Sequence, residues 1–71
     1  MVKKLQKVRI QKGYSVRELA EEVGVHYSLI SYWENGKRNP KSSNKEMLEH
    51  VLGVPHYKLL EEDKREDNDN E

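Results

Sequence analysis

The stretch from Ser15 to Pro40, SVRELAEEVGVHYSLISYWENGKRNP, leaves this chain few ways to fold. Ser15 followed by Glu18 makes a capping box, in which the Ser15 hydroxyl accepts from the Glu18 backbone N–H and the Glu18 carboxylate accepts from the Ser15 amide. A helix is therefore predicted from Val16. Leu19, Ala20 and Val23 recur at helical spacing and form its apolar stripe, while Arg17, Glu18, Glu21 and Glu22 face outward. Gly24 ends the helix, because glycine tolerates the left-handed conformation found there, and Val25 can fold back onto the stripe. A second helix is predicted to start at His26 or Tyr27 and to end at Asn35-Gly36. Ile30 and Trp33 point inward from it. Tyr27, Ser28, Ser31 and Tyr32 point outward, a face with many hydrogen-bonding groups and little charge.

Two short helices joined by so tight a turn, with the small Ala20 at their crossing, have the form of a helix-turn-helix module. Leu19-Ala20, Gly24-Val25, Ile30-Ser31, Trp33-Glu34-Asn35-Gly36 and Arg38 with Pro40 together resemble the pattern of the Cro and phage-repressor (Xre-like) family, over about residues 5 to 60. The resemblance implies an all-α, five-helix, lambda-repressor-like DNA-binding domain whose second and third helices form the module. It implies a sequence-specific transcriptional regulator of duplex DNA, a repressor of phage-like or mobile-element type, that places its third helix in the major groove. By position, Tyr27, Ser28, Ser31 and Tyr32 are the base-edge candidates. His26, Asn35, Lys37, Arg38 and Lys41 are the phosphate candidates, with His26 also open to a role as N-cap. In that family an arginine placed like Arg9 pairs with a glutamate placed like Glu34; a partly buried ion pair is favoured over a phosphate contact for Arg9. Relatives commonly carry glutamine where this chain has Val16. Trp33 is read as core, and core also ranks first for Leu29.

Around the module, a first helix is predicted over about Val2 to Lys12, with Leu5 and Val8 inward and Lys3, Lys4 and Lys7 outward; Tyr14 follows Gly13 as an apolar plug. A second capping signature, Ser43 to Glu46, predicts a fourth helix with Met47, Leu48, Val51 and Leu52 as its apolar positions and Gly53 as its stop. A last helix is predicted from His56 to about Glu61, with Tyr57, Leu59 and Leu60 closing the core.

At 71 residues, the chain holds one small domain at most. Its balance of 13 basic and 13 acidic residues hides two regions. Residues 1–60 carry eleven Lys and Arg against six Asp and Glu, whereas residues 61–71 carry two against seven. The basic part suits a phosphate-bearing partner. The acidic part, without one apolar residue, is expected to be a disordered tail, either solubilising or shielding the basic face. The domain boundary is drawn at 60. No apolar run approaches the ~20 residues of a membrane span, the N-terminus lacks a signal-peptide core, and there is no cysteine, so a cytoplasmic protein is expected. His26, His50 and His56 lack zinc-ligand spacing, and no glycine-rich phosphate cradle precedes a helix; neither an enzyme nor a cofactor is expected. A single recognition helix reads only a few base pairs, so the expected partner is a two-fold operator bound by a homodimer, formed before or on the DNA. The competing class is a protein-interaction module, an antitoxin or adaptor using the helical surface or the tail.

Overall fold

A helix of two turns is marginal in water by itself, so each short helix here depends on burying its apolar stripe against the others. The computed structural model describes residues 2–63 and contains five helices: α1 Lys4–Gln11, α2 Val16–Val23, α3 Tyr27–Glu34, α4 Ser42–Leu52 and α5 His56–Leu59. α2 packs on α3 and α4, α1 on α3 and α5, and α4 on α5. Every helix sends at least one side chain into a shared core: Leu5 from α1, Leu19, Ala20 and Val23 from α2, Ile30 and Trp33 from α3, Leu48 and Leu52 from α4, Leu59 from α5. Val8, Tyr14, Val25 and Leu29 pack against it, half-buried. Burying one such aliphatic side chain contributes about 1.5–3 kcal/mol, so no helix can be removed cheaply.

The all-α, five-helix expectation and the helix-turn-helix at α2 and α3 hold. Ser15 Oγ accepts from Glu18 N–H at 3.0 Å and Glu18 Oε1 from Ser15 N–H at 2.8 Å, which closes the capping box. At the other end Gly24 takes φ +86°, and its N–H and that of Val25 both reach the Ala20 carbonyl, at 2.7 and 3.0 Å. That turn carries the chain directly from α2 into the N-terminus of α3.

Other boundaries differ from the pattern reading. α1 begins at Lys4, not Val2, because the backbone of residues 2 and 3 is spent elsewhere: Lys3 is extended, its N–H donates to the Glu34 carbonyl at 2.7 Å, and it bridges to Glu62. α4 begins at Ser42 with Lys41 as its N-cap, and the Ser43–Glu46 capping signature goes unused. The preceding Pro40 is buried at the end of the α3–α4 loop, and the chain enters the helix two residues later, before Ser43 is reached. Met47 is exposed, since the inward line of α4 runs Leu48, Val51, Leu52 and Met47 lies one residue off it. α5 closes at Leu59 rather than Glu61. A helix of four residues has room for one inward side chain, Leu59, leaving Tyr57 exposed and Leu60 half-buried.

The described structure also continues past the boundary drawn at 60. Lys4 N–H donates to the Glu61 carbonyl at 2.8 Å and Asp63 N–H to the Val2 carbonyl at 2.9 Å, and Lys4 Nζ lies 2.9 Å from Glu61 Oε1. Asp63 is buried. These backbone bonds order a segment that has no apolar residue of its own. The rest of the expected tail, residues 64–71, lies outside the described residues.

Candidate nucleic-acid interface

The turn at Gly24 presents His26, Tyr27 and Ser28 at the exposed start of α3. His26 is the N-cap: its Nδ1 accepts from the Ser28 N–H at 3.2 Å and lies 2.9 Å from the Ser28 hydroxyl. A ring nitrogen that accepts from an amide carries no proton, which leaves Nε2 as the ring's N–H donor. The His26 ring stacks on Tyr27, with centroids 4.4 Å apart.

The outward face of α3 has the composition expected of it. Tyr27 and Tyr32 are exposed and Ser28 and Ser31 half-buried. Ile30 and Trp33 are buried beneath. The C-terminal end is pinned from three directions. Asn35 Nδ2 donates back to the Ser31 carbonyl at 3.0 Å, so this side chain tidies the helix end while its oxygen stays available. Lys3 N–H satisfies the Glu34 carbonyl. Glu34 itself is buried against Arg9, with Arg9 Nε 2.5 Å from Glu34 Oε2 and Arg9 Nη1 donating to the Tyr14 carbonyl at 2.9 Å. Arg9 is thus turned into the protein. Gly36 then turns the chain at φ +75°, a conformation side-chain-bearing residues rarely adopt, and Lys37, Arg38 and Lys41 follow, all exposed.

Charge is distributed unevenly. Lys3 and Lys4 are matched by Glu62 and Glu61, and Lys4, by donating to Glu61, holds that carboxyl below its ordinary range. Among the described residues, eight cations have no carboxylate within ion-pair distance: Lys7, Lys12, Arg17, Lys37, Arg38, Lys41, Lys45 and Lys58. Of these, Arg17, Lys37, Arg38 and Lys41 border α3. Arg17 lies with its guanidinium carbon 4.2 Å from the Tyr27 ring centroid, and Arg38 lies 5.3 Å from that of Tyr32. By spacing alone Arg17 lies only on an outward face; its contact with Tyr27 depends on how α2 crosses α3, which no local spacing encodes. The cleft between α2 and the start of α3, bounded by Arg17, Ala20, Glu21, Val25, His26 and Tyr27, measures about 200 Å³, and a second hollow, bounded by Lys4, Lys7, Val8, Gln11, Val54, Lys58 and Glu61, about 310 Å³. Among the described residues no group of acidic or histidine side chains could hold a metal, and no helix is long and apolar enough to cross a membrane. Along α3 the surface offers hydrogen-bonding side chains with cations that lack a carboxylate partner at both ends.

A helix-turn-helix family model matches residues 5–59. A hypothetical transcription factor of Neisseria meningitidis is 38% identical over 52 residues, 73% of this chain and 49% of that protein. The HTH-type transcriptional regulator SinR of Bacillus subtilis is 40% identical over 60 residues, 83% of this chain and 54% of SinR. The chain therefore spans about half the length of these relatives. Among solved structures, SinR in complex with DNA, described as the master regulator for biofilm formation, superimposes with a TM-score of 0.71 at 38% identity, covering 80% of this chain and 95% of that one. The Neisseria factor superimposes with a TM-score of 0.71 at 31% identity, covering 90% of this chain and 72% of that one.

Proposed function

The chain belongs to the helix-turn-helix family, and on that premise we propose that it binds duplex DNA sequence-specifically as a transcriptional regulator, a repressor, in the cytoplasm. The observation that carries this reading is the pairing of an exposed polar α3 with the unmatched cations Arg17, Lys37, Arg38 and Lys41 at its two ends. With its side chains an α-helix is about 10–12 Å across and fits a major groove about 12 Å wide, and the eight residues of α3 make it about 12 Å long. In that seat the outward face of α3, with Tyr27, Ser28, Ser31 and Tyr32, enters the groove, and His26, Asn35, Lys37, Arg38 and Lys41 lie towards the backbone. The SinR relative solved with DNA supports this use of the fold.

At about 3.4 Å per base pair, one such helix spans three or four pairs, too few to single out a site. The protein acts as a homodimer on two half-sites about one DNA turn apart. Base contacts set specificity and backbone contacts set register and most of the salt-dependent affinity.

Selection of bound fragments from random duplex DNA tests the reading, with an Arg38→Ala, Lys41→Ala variant alongside. The expected outcome is an enriched two-fold site and, for the variant, uniformly weaker binding with a flatter salt dependence. No enrichment at about 100 mM salt, where non-specific phosphate contacts give only weak binding, would refute it and direct attention to a protein partner.

A further inference from the structure

Tyr27 and Tyr32 have the strongest claim to read bases by position, yet each is engaged by an arginine from outside α3. At about 100° per residue, taking Tyr27 as the origin places Ser31 at about 40°, Ser28 at about 100° and Tyr32 at about 140° around the helix. The two serines therefore lie between the two tyrosines. When the serines face the groove floor, one tyrosine faces each wall, where the phosphates run. Arg17 rests on the Tyr27 ring at 4.2 Å and Arg38 on the Tyr32 ring at 5.3 Å. Both arginines are exposed and neither has a carboxylate partner among the described residues.

We propose that Arg17 is a DNA-backbone contact that pairs with Arg38 across the major groove, and that Tyr27 and Tyr32 are positioning residues that hold the two guanidinium groups rather than base readers. A guanidinium held over a ring by cation–π attraction keeps N–H groups with which it can donate to phosphate oxygens. Stacking also removes rotamers that a free arginine would have to give up on binding. His26 adds to the arrangement by stacking on Tyr27, which fixes the ring that carries Arg17. Base reading then falls to Ser28 and Ser31, one at each level of the helix. The inference rests on the DNA-binding function proposed above and assigns its parts.

The test is binding of the whole chain to a fluorescent random-sequence duplex, followed by anisotropy from about 50 to about 300 mM KCl, the range over which phosphate contacts are read as a slope of log affinity against log salt. Arg17→Ala is expected to lower that slope by about one, Tyr27→Ala to lower it as well, and Tyr27→Phe, which keeps the ring face, to recover what Tyr27→Ala loses. Arg17 and Tyr27 are exposed, and circular dichroism checks that each variant is folded. An unchanged slope in Arg17→Ala would overturn the assignment of Arg17. A Tyr27→Phe variant that selects a different base from random duplex would overturn the positioning role, because it would show the hydroxyl reading DNA. A wild-type chain whose binding ignores salt or is absent would overturn the DNA-binding function itself, a result distinct from either.

Discussion

Arg9 and Glu34 make the sharpest test of what holds α3 in place. Arg9 is 8% exposed and Glu34 3% exposed, with Arg9 Nε 2.5 Å from one carboxylate oxygen and Nη2 3.4 Å from the other. Arg9→Met keeps much of the aliphatic stem and removes the cation, stranding a carboxylate in the core at a cost of about 3–5 kcal/mol. The 62 described residues, at about 0.05–0.15 kcal/mol each, have roughly 3–9 kcal/mol of stability in total, so the variant loses a third of it at best and all of it at worst. With about 4–8 °C per kcal/mol in a domain of this size, Tm should fall by roughly 12–40 °C. The double variant Arg9→Met, Glu34→Leu removes both charges. It should regain most of the loss but not all, because the hydrogen bond from Arg9 Nη1 to the Tyr14 carbonyl stays broken, a deficit of about 1 kcal/mol. Thermal melts followed by circular dichroism at 222 nm measure both. If Arg9→Met costs less than about 1 kcal/mol, or if the double variant is as unstable as the single one, a stranded buried charge is not what the pair prevents, and the reasoning fails.

Ser15→Ala removes the capping box of α2 and should cost about 1 kcal/mol, while Ser15→Asp, which keeps an acceptor, should cost much less; urea midpoints compare them. Glu49 accepts from the His56 backbone N–H at 2.7 Å and lies 2.5 Å from His56 Nδ1, and the backbone bond first, the ring second, hold its carboxyl below the usual range. A lowered carboxyl stabilises the fold above the unfolded value of about 4.3 and loses that contribution as pH falls through the native value. Glu49→Gln should therefore be less stable than wild type near neutrality, with the difference vanishing in acid; a difference constant from pH 7 to pH 3 would contradict the assignment. Ending the chain after Leu60 removes the partners of Lys4 N–H and of the Val2 carbonyl, and amide hydrogen exchange at Lys4 should accelerate while exchange at Leu48 stays slow.

Much of the site was legible because its determinants lie within one turn of each other. The Ser15–Glu18 box, the Leu19, Ala20 and Val23 stripe and the stop at Gly24 are interactions over three to five residues, and each stands in the structure at the expected place. Trp33 reads as core from its spacing with Ile30, and it is. The capping signature at Ser43–Glu46 does not hold: a capping pattern is a local preference worth about 1 kcal/mol, and α4 starts at Ser42, after the buried Pro40 and ahead of that pattern. Tyr57, an apolar ring next to a helix break, reads as inward by spacing, but a four-residue helix offers one inward position and Leu59 takes it.

The chain by itself determined which segments are helical, where α2 starts and stops, and that α3 carries an outward face of hydroxyls, since all of these follow from spacing and caps along a single element. Only the tertiary structure decided that Arg17 lies on Tyr27, that Lys3 and Lys4 are neutralised by Glu62 and Glu61, and that residues 61–63 belong to the folded part. Those facts join positions ten to nearly sixty residues apart. They depend on the angles at which helices cross and on which backbone groups remain unpaired at the ends, quantities that arise only when all five helices close over one core.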